Sequence, residues 1–180
     1  MNRIRLILAF LTVISVHMHA QSAKSLSRHI TEEDGLSSNQ VRAIMQDRMG
    51  FIWMGTYQGL DRYDGRTFQN ISLSEETKGS SVYSLCEDDD VIWLGTDKGL
   101  SSYSYVTGEI SYFDVSTDDG MRISEQISSI AKDMDGNLWV STFGQGVFRY
   151  NRQQGKLDYF SMSDSRDLVA GVYVDKVNQV

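Results

Sequence analysis

The sequence predicts an all-β chain, an incomplete β-propeller of four-stranded blades: three blades plus the start of a fourth. Three observations predict it. A Trp-centred segment occurs three times, with Trp53, Trp93 and Trp139 separated by 40 and 46 residues. Such periods belong to repeat architectures, including propellers with four strands per unit. Around each Trp lie short apolar runs bounded by Asp- and Gly-rich turns, the strand pattern rather than the helix pattern. After each Trp comes a small-residue pair and a Gly-containing turn, as in FIWMGTYQGLDRYDG at Phe51–Gly65.

The elements follow in order. Val41–Met45, Val82–Cys86 and Ile127–Ala131 are apolar at both parities, which predicts first strands covered on both faces. The turns DRMG, DDD and DMDGN lead to second strands at Phe51–Thr56, Val91–Thr96 and Asn137–Thr142. A turn with Gly59, Gly99 or Gly146 precedes third strands at Leu60–Tyr63, Leu100–Tyr103 and Val147–Tyr150. Fourth strands end at Ile71, Phe113 and Phe160. Gly55 and Gly95 stand beside the Trp, where Gly residues allow tight turns. A Trp can bury about 150–250 Å², equivalent to about 4–6 kcal/mol as an upper bound. The repeated Trp is therefore read as inter-sheet packing.

Residues 1–20 have the order of a secretory signal peptide: MNRIR, the apolar run LILAFLTVISV, then HMHA with cleavage expected after Ala20. The run is too short to span a bilayer, which takes about twenty apolar residues. The expected layout is signal peptide 1–20, an N-terminal segment 21–40, and blades at 41–81, 82–126 and 127–168. Arg28-His29-Ile30 is expected as a strand that closes the ring. Residues 169–180 are expected to start a fourth blade: Val169–Val172 matches Ile127–Ile130, and Val169 plus the twelve-residue step falls just beyond Val180. The reading is of the N-terminal piece of a longer exported protein.

Composition narrows the chemistry. A net charge of -7 and no basic run argue against nucleic acid or an anionic membrane as partner. Cys86 is the single cysteine, so no intramolecular disulfide forms, and a small core residue is expected there. His17 and His19 lie in the signal peptide, leaving His29, so a multi-His metal site and His-dependent catalysis are not expected. DMDGN at 133–137 lacks the spacing of a calcium loop and reads as a hairpin turn. EDDD at 87–90 reads as a solvated turn, and Glu75-Glu76 and Asp118-Asp119 as solvated loops. No metal, cofactor or catalytic residue is expected.

The stretch GLSSNQVRAIMQDRMGFIWMGTYQGLDRYDG resembles the two-component regulator propeller repeat, in its GL-S-N-x-V-x-x-I, D-x-x-G-x-I-W and G-T-x-x-G-L elements. The second copy keeps WLGTDKGL but has DDDV for its turn. The third keeps DMDGNLW, then has Ser141 for Gly and one inserted residue. What the resemblance implies is the periplasmic sensor region of a hybrid histidine kinase, the ectodomain of an inner-membrane receptor, dimeric when complete. It implies an oligosaccharide ligand, control of glycan-utilisation genes, and downstream kinase and DNA-binding modules that this chain does not contain. The turns between second and third strands should share a face with the inter-blade connections 73–80 and 115–126. Tyr57, Gln58, Asp97, Phe143 and Gln145 offer the aromatic, amide and carboxylate groups that sugars need, and are the ligand-contact candidates. Two other readings are a short secreted protein that completes a ring from several copies, and part of a propeller lyase or hydrolase.

Overall fold

In a computed structural model the chain is described over residues 27–161 and 167–175. The signal peptide and residues 176–180 lie outside the described residues. Three antiparallel sheets follow one another along the chain. The first holds β1 (Val41–Gln46), β2 (Ile52–Thr56), β3 (Gly59–Tyr63) and β4 (Phe68–Ile71) in sequence order. The second holds β5 (Val82–Asp88), β6 (Val91–Thr96), β7 (Gly99–Ser104) and β8 (Ile110–Tyr112). The third holds β9 (Ile127–Lys132), β10 (Leu138–Gly144), β11 (Val147–Asn151) and β12 (Lys156–Phe160). A short β13 (Asp167–Leu168) also pairs with β10.

Sheets with one apolar face must bury it, and here they do so against one another. β5 packs beside both β1 and β9, so the first strand of each sheet is the innermost. Two apolar cores result, one per seam. Trp53, Leu60, Val82, Ile92, Leu94 and Tyr103 fill the seam between the first and second blades. Trp93, Leu100, Ile127, Leu138, Phe148 and their neighbours fill the seam between the second and third. Trp53 is fully buried against Tyr103, ring centroids 4.8 Å apart, and Trp93 lies edge-on to Phe113 and Tyr150. The central blade is covered on both faces, and Ile92–Thr96 of β6 is buried without a break.

Three expectations change. β1 was expected to be covered on both faces, yet Arg42, Ile44 and Gln46 are exposed. Among the described residues no sheet packs on that face of the first blade. Val169–Val172, expected as the first strand of a fourth blade, is in no strand. The segment still lies along β9, where Ser128 Oγ donates to the Val169 carbonyl and Ser129 Oγ to that of Val172. Arg28–Ile30 is likewise in no strand.

Each innermost strand carries the same irregularity. Val41 and Ala43 pair with Thr56 and Gly55, leaving Arg42 without a partner in the ladder. Val82 and Ser84 do the same with Thr96 and Gly95, skipping Tyr83. Ile127 and Ser129 pair with Thr142 and Ser141, skipping Ser128. One extra residue opposite one partner is a β-bulge, and it sits at the same place in all three blades.

Candidate functional site

The turn joining second to third strands is built the same way three times. Thr56 Oγ1 donates to the Gly59 carbonyl and accepts the Gln58 backbone N–H. Thr96 does the same with Gly99 and Lys98, and Thr142 with Gly146 and Gln145. The Gly closing each turn has a positive φ, 110° at Gly99, where an added Cβ would also come within 2.6 Å of the Ile123 carbonyl oxygen. These threonines are buried, so the hydroxyls satisfy groups that water cannot reach. The clamp leaves the residues between Thr and Gly free to differ.

Those residues share one end of the blades with the inter-blade connections. Ser81 Oγ donates to the Tyr57 carbonyl, Lys98 Nζ to the Lys78 carbonyl, and the Phe143 N–H to the Gln126 carbonyl. The structure thus places Tyr57, Gln58, Asp97 and Phe143 on this face, each exposed, in consecutive blades. Gln58 borders a cavity of about 400 Å³ together with Asn70, Ser72, Glu75, Lys78 and Gly79. Lys78 pairs there with Glu75 at 3.1 Å.

Gln145 differs from the other four. Its Oε1 accepts the backbone N–H groups of Ser124 and Glu125, and its Nε2 donates to the Arg122 carbonyl. Both ends of the amide tie the connection to its turn. A sequence cannot show this, because an amide that meets a sugar and one that meets a backbone look the same.

The opposite end holds residues whose importance the sequence did not disclose. In every blade an Asp at the first turn accepts the Trp indole N–H: Asp47 from Trp53 at 2.7 Å, Asp88 from Trp93 at 3.2 Å, and Asp133 from Trp139 at 2.8 Å. The signal was present as a five-residue gap from Asp to Trp, shortened to four in the second blade. Asp133 also accepts from the Asn137 backbone and side chain, as a hairpin turn requires. Burial pushes its carboxyl up, but these hydrogen bonds outweigh burial and hold it below the usual range.

EDDD corrects in part. Asp89 and Asp90 form the exposed turn, but Glu87 and Asp88 belong to β5 and bind neighbouring blades. Buried Asp88 pairs with Lys132 of β9 and with Arg152 at 3.0 Å across the second seam. Glu87 accepts the Arg48 backbone N–H and the Tyr105 hydroxyl at the first seam. Asp61, fully buried in β3, accepts from the Ser37 backbone and hydroxyl and from Asn70, anchoring the GLSS segment onto the first blade.

The family model described as "two component regulator propeller" matches residues 35–58 and 122–144. Those two segments are similar to the two-component regulator propeller repeat. The second propeller repeat, with its shortened DDDV turn, is outside the matched segments, yet its sheet has the same strand order, bulge and Trp–Asp bond. Two structures from B. thetaiotaomicron are similar. One is the extracellular domain of a putative one component system, 25% identical over 83% of this chain and 21% of that chain, with a TM-score of 0.68. The other is the extracellular domain of a putative hybrid two component system, 28% identical over 74% of this chain and 20% of that chain, with a TM-score of 0.66. A histidine kinase from Formosa agariphila is 38% identical over 56 residues, which is 31% of this chain and 4% of that protein. The propeller repeats thus span a small part of the proteins they resemble. No helix among the described residues is long and apolar enough to cross a membrane.

Proposed function

We propose that this chain forms the first blades of the periplasmic sensor propeller of a hybrid two-component receptor. Oligosaccharide binding to that sensor controls glycan-utilisation genes. The observation that carries this reading is the turn face: an invariant Thr–Gly clamp presents different side chains, Tyr57-Gln58, Asp97-Lys98 and Phe143-Gly144, from consecutive blades. A scaffold that holds its backbone constant while varying its display suits recognition rather than packing. The likeness to extracellular domains of two-component systems supports an exported location. Further blades of the same protein cover the apolar cleft of about 320 Å³ between Trp139, Phe160, Val172 and Tyr173. The kinase module and dimerisation belong to the rest of the receptor.

The test is titration of the full-length receptor with a panel of oligosaccharides. Tyr57→Ala and Phe143→Ala should each weaken the bound saccharide by about 2- to 10-fold, the scale of one aromatic contact, with the thermal melt unchanged. Affinity that neither substitution alters removes the turn face as the site.

A further inference from the structure

The three bulges place Arg42, Tyr83 and Ser128 at one level of the innermost strands, beside the threonines that open the turn face. A bulge re-aims a side chain and commonly lies next to functional sites. Here it recurs in every blade while the residue it carries changes from cation to aromatic to hydroxyl. A packing device would keep the residue type, as the Trp–Asp pairs do.

Arg42 and Tyr83 meet across the first seam. The guanidinium carbon lies 5.8 Å from the Tyr83 ring centroid. That contact orients the cation and satisfies none of its N–H donors. Arg42 is exposed, and among the described residues no carboxylate lies within ion-pair distance of it. Arg28, Arg48, Arg122, Arg149 and Arg152 each have an acidic partner, whereas Arg62, also over aromatic rings and, among the described residues, without a carboxylate at that distance, donates to Gln69. An oriented guanidinium with its fork of donors open is matched to a planar or tetrahedral oxyanion. The adjacent Tyr ring offers a face for the C–H surface of a sugar.

We infer that Arg42 and Tyr83, carried on the bulges of β1 and β5, form a subsite for an acidic saccharide, one bearing a carboxylate or sulfate. Arg42 takes the anionic group bidentately, and Tyr83 holds the guanidinium and the sugar ring in register. This rests on the saccharide-sensing reading above and names the class of sugar.

The experiment is titration of the full-length protein with three probes: tetragalacturonate, a sulfated chondroitin tetrasaccharide and neutral galactotetraose. Arg42→Gln should weaken a carboxylated or sulfated probe by about 10- to 100-fold, the loss of a charge-assisted pair, and leave the melt intact. Arg42→Lys keeps charge but not the fork and should recover part of the loss. Tyr83→Phe should bind as the parent does, and Tyr83→Leu should not. Binding confined to the neutral probe, or acidic binding that Arg42→Gln leaves unchanged, overturns the subsite and leaves the sensor reading standing. A folded protein that binds no saccharide across these probes and the wider panel overturns both.

Discussion

Gly95 tests whether the blades are held together by close approach of their inner strands. It has no positive φ, so replacement by Ala introduces no backbone strain and the effect is steric alone. A Cβ built there lies 2.2 Å from Ser84 Oγ, 2.6 Å from Ile127 Cγ2 and 2.7 Å from Ile127 Cβ. Ser84 can rotate away, but Ile127 is fully buried and begins β9, so the third blade itself must shift. Overpacking of this kind costs about 1–3 kcal/mol, a large share of a domain stability of about 5–15 kcal/mol. Hydrogen exchange of the full chain reads it locally. Amides of β6 and β9 should exchange about 5- to 150-fold faster in Gly95→Ala, the same energy expressed as an opening equilibrium, with β2 and β3 little changed. The third blade supplies a control, because the equivalent position is already Ser141, hydrogen-bonded to Ser128 at 2.8 Å. Ser141→Ala should cost only about 1 kcal/mol, one hydrogen bond. Equal exchange in Gly95→Ala and the parent would refute the close-approach account of the Gly.

Three further outcomes follow from the same contacts. Burial raises the Asp88 carboxyl, but the bonds from Lys132, Trp93 and Arg152 outweigh it and the net shift is downward. A carboxyl depressed on folding contributes stability that is full above the unfolded value, about pH 3.9, and lost as pH falls through its folded value. Asp88→Asn should therefore flatten the acid limb of the stability-against-pH curve, measured by melts between pH 2 and 6; an unaltered limb would contradict the pairing. Gln145→Ala should speed exchange across residues 122–126 by at least about 5-fold, since two backbone N–H groups lose their acceptor, whereas a residue poised only for ligand would leave that segment unchanged. Burial pushes the Cys86 thiol up to about 11, so iodoacetamide at pH 8 should label the folded chain far more slowly than the urea-unfolded chain. Equal rates would show an accessible thiol.

The sequence by itself determined the repeat and the four strands of each of the three sheets in their order, because short apolar runs, turn residues and a recurring Trp are local signals. It also located the turns carrying Tyr57, Asp97 and Phe143, since a Gly shortly after each Trp strand marks the hairpin. What the tertiary structure decided was which partner each polar side chain meets. Asp47, Asp88 and Asp133 read as turn residues until their carboxylates are seen on the indole N–H groups. Gln145 reads as a free amide until the connection folds back onto it, and Glu87 and Asp88 as solvent until the neighbouring blades bring Arg48, Tyr105, Lys132 and Arg152. Arg42 and Tyr83 lie 41 residues apart in the chain and meet only because β1 and β5 pack side by side. Strand formation depends on neighbours in sequence, whereas hydrogen bonds and ion pairs depend on neighbours in space, and those exist only once the blades have packed.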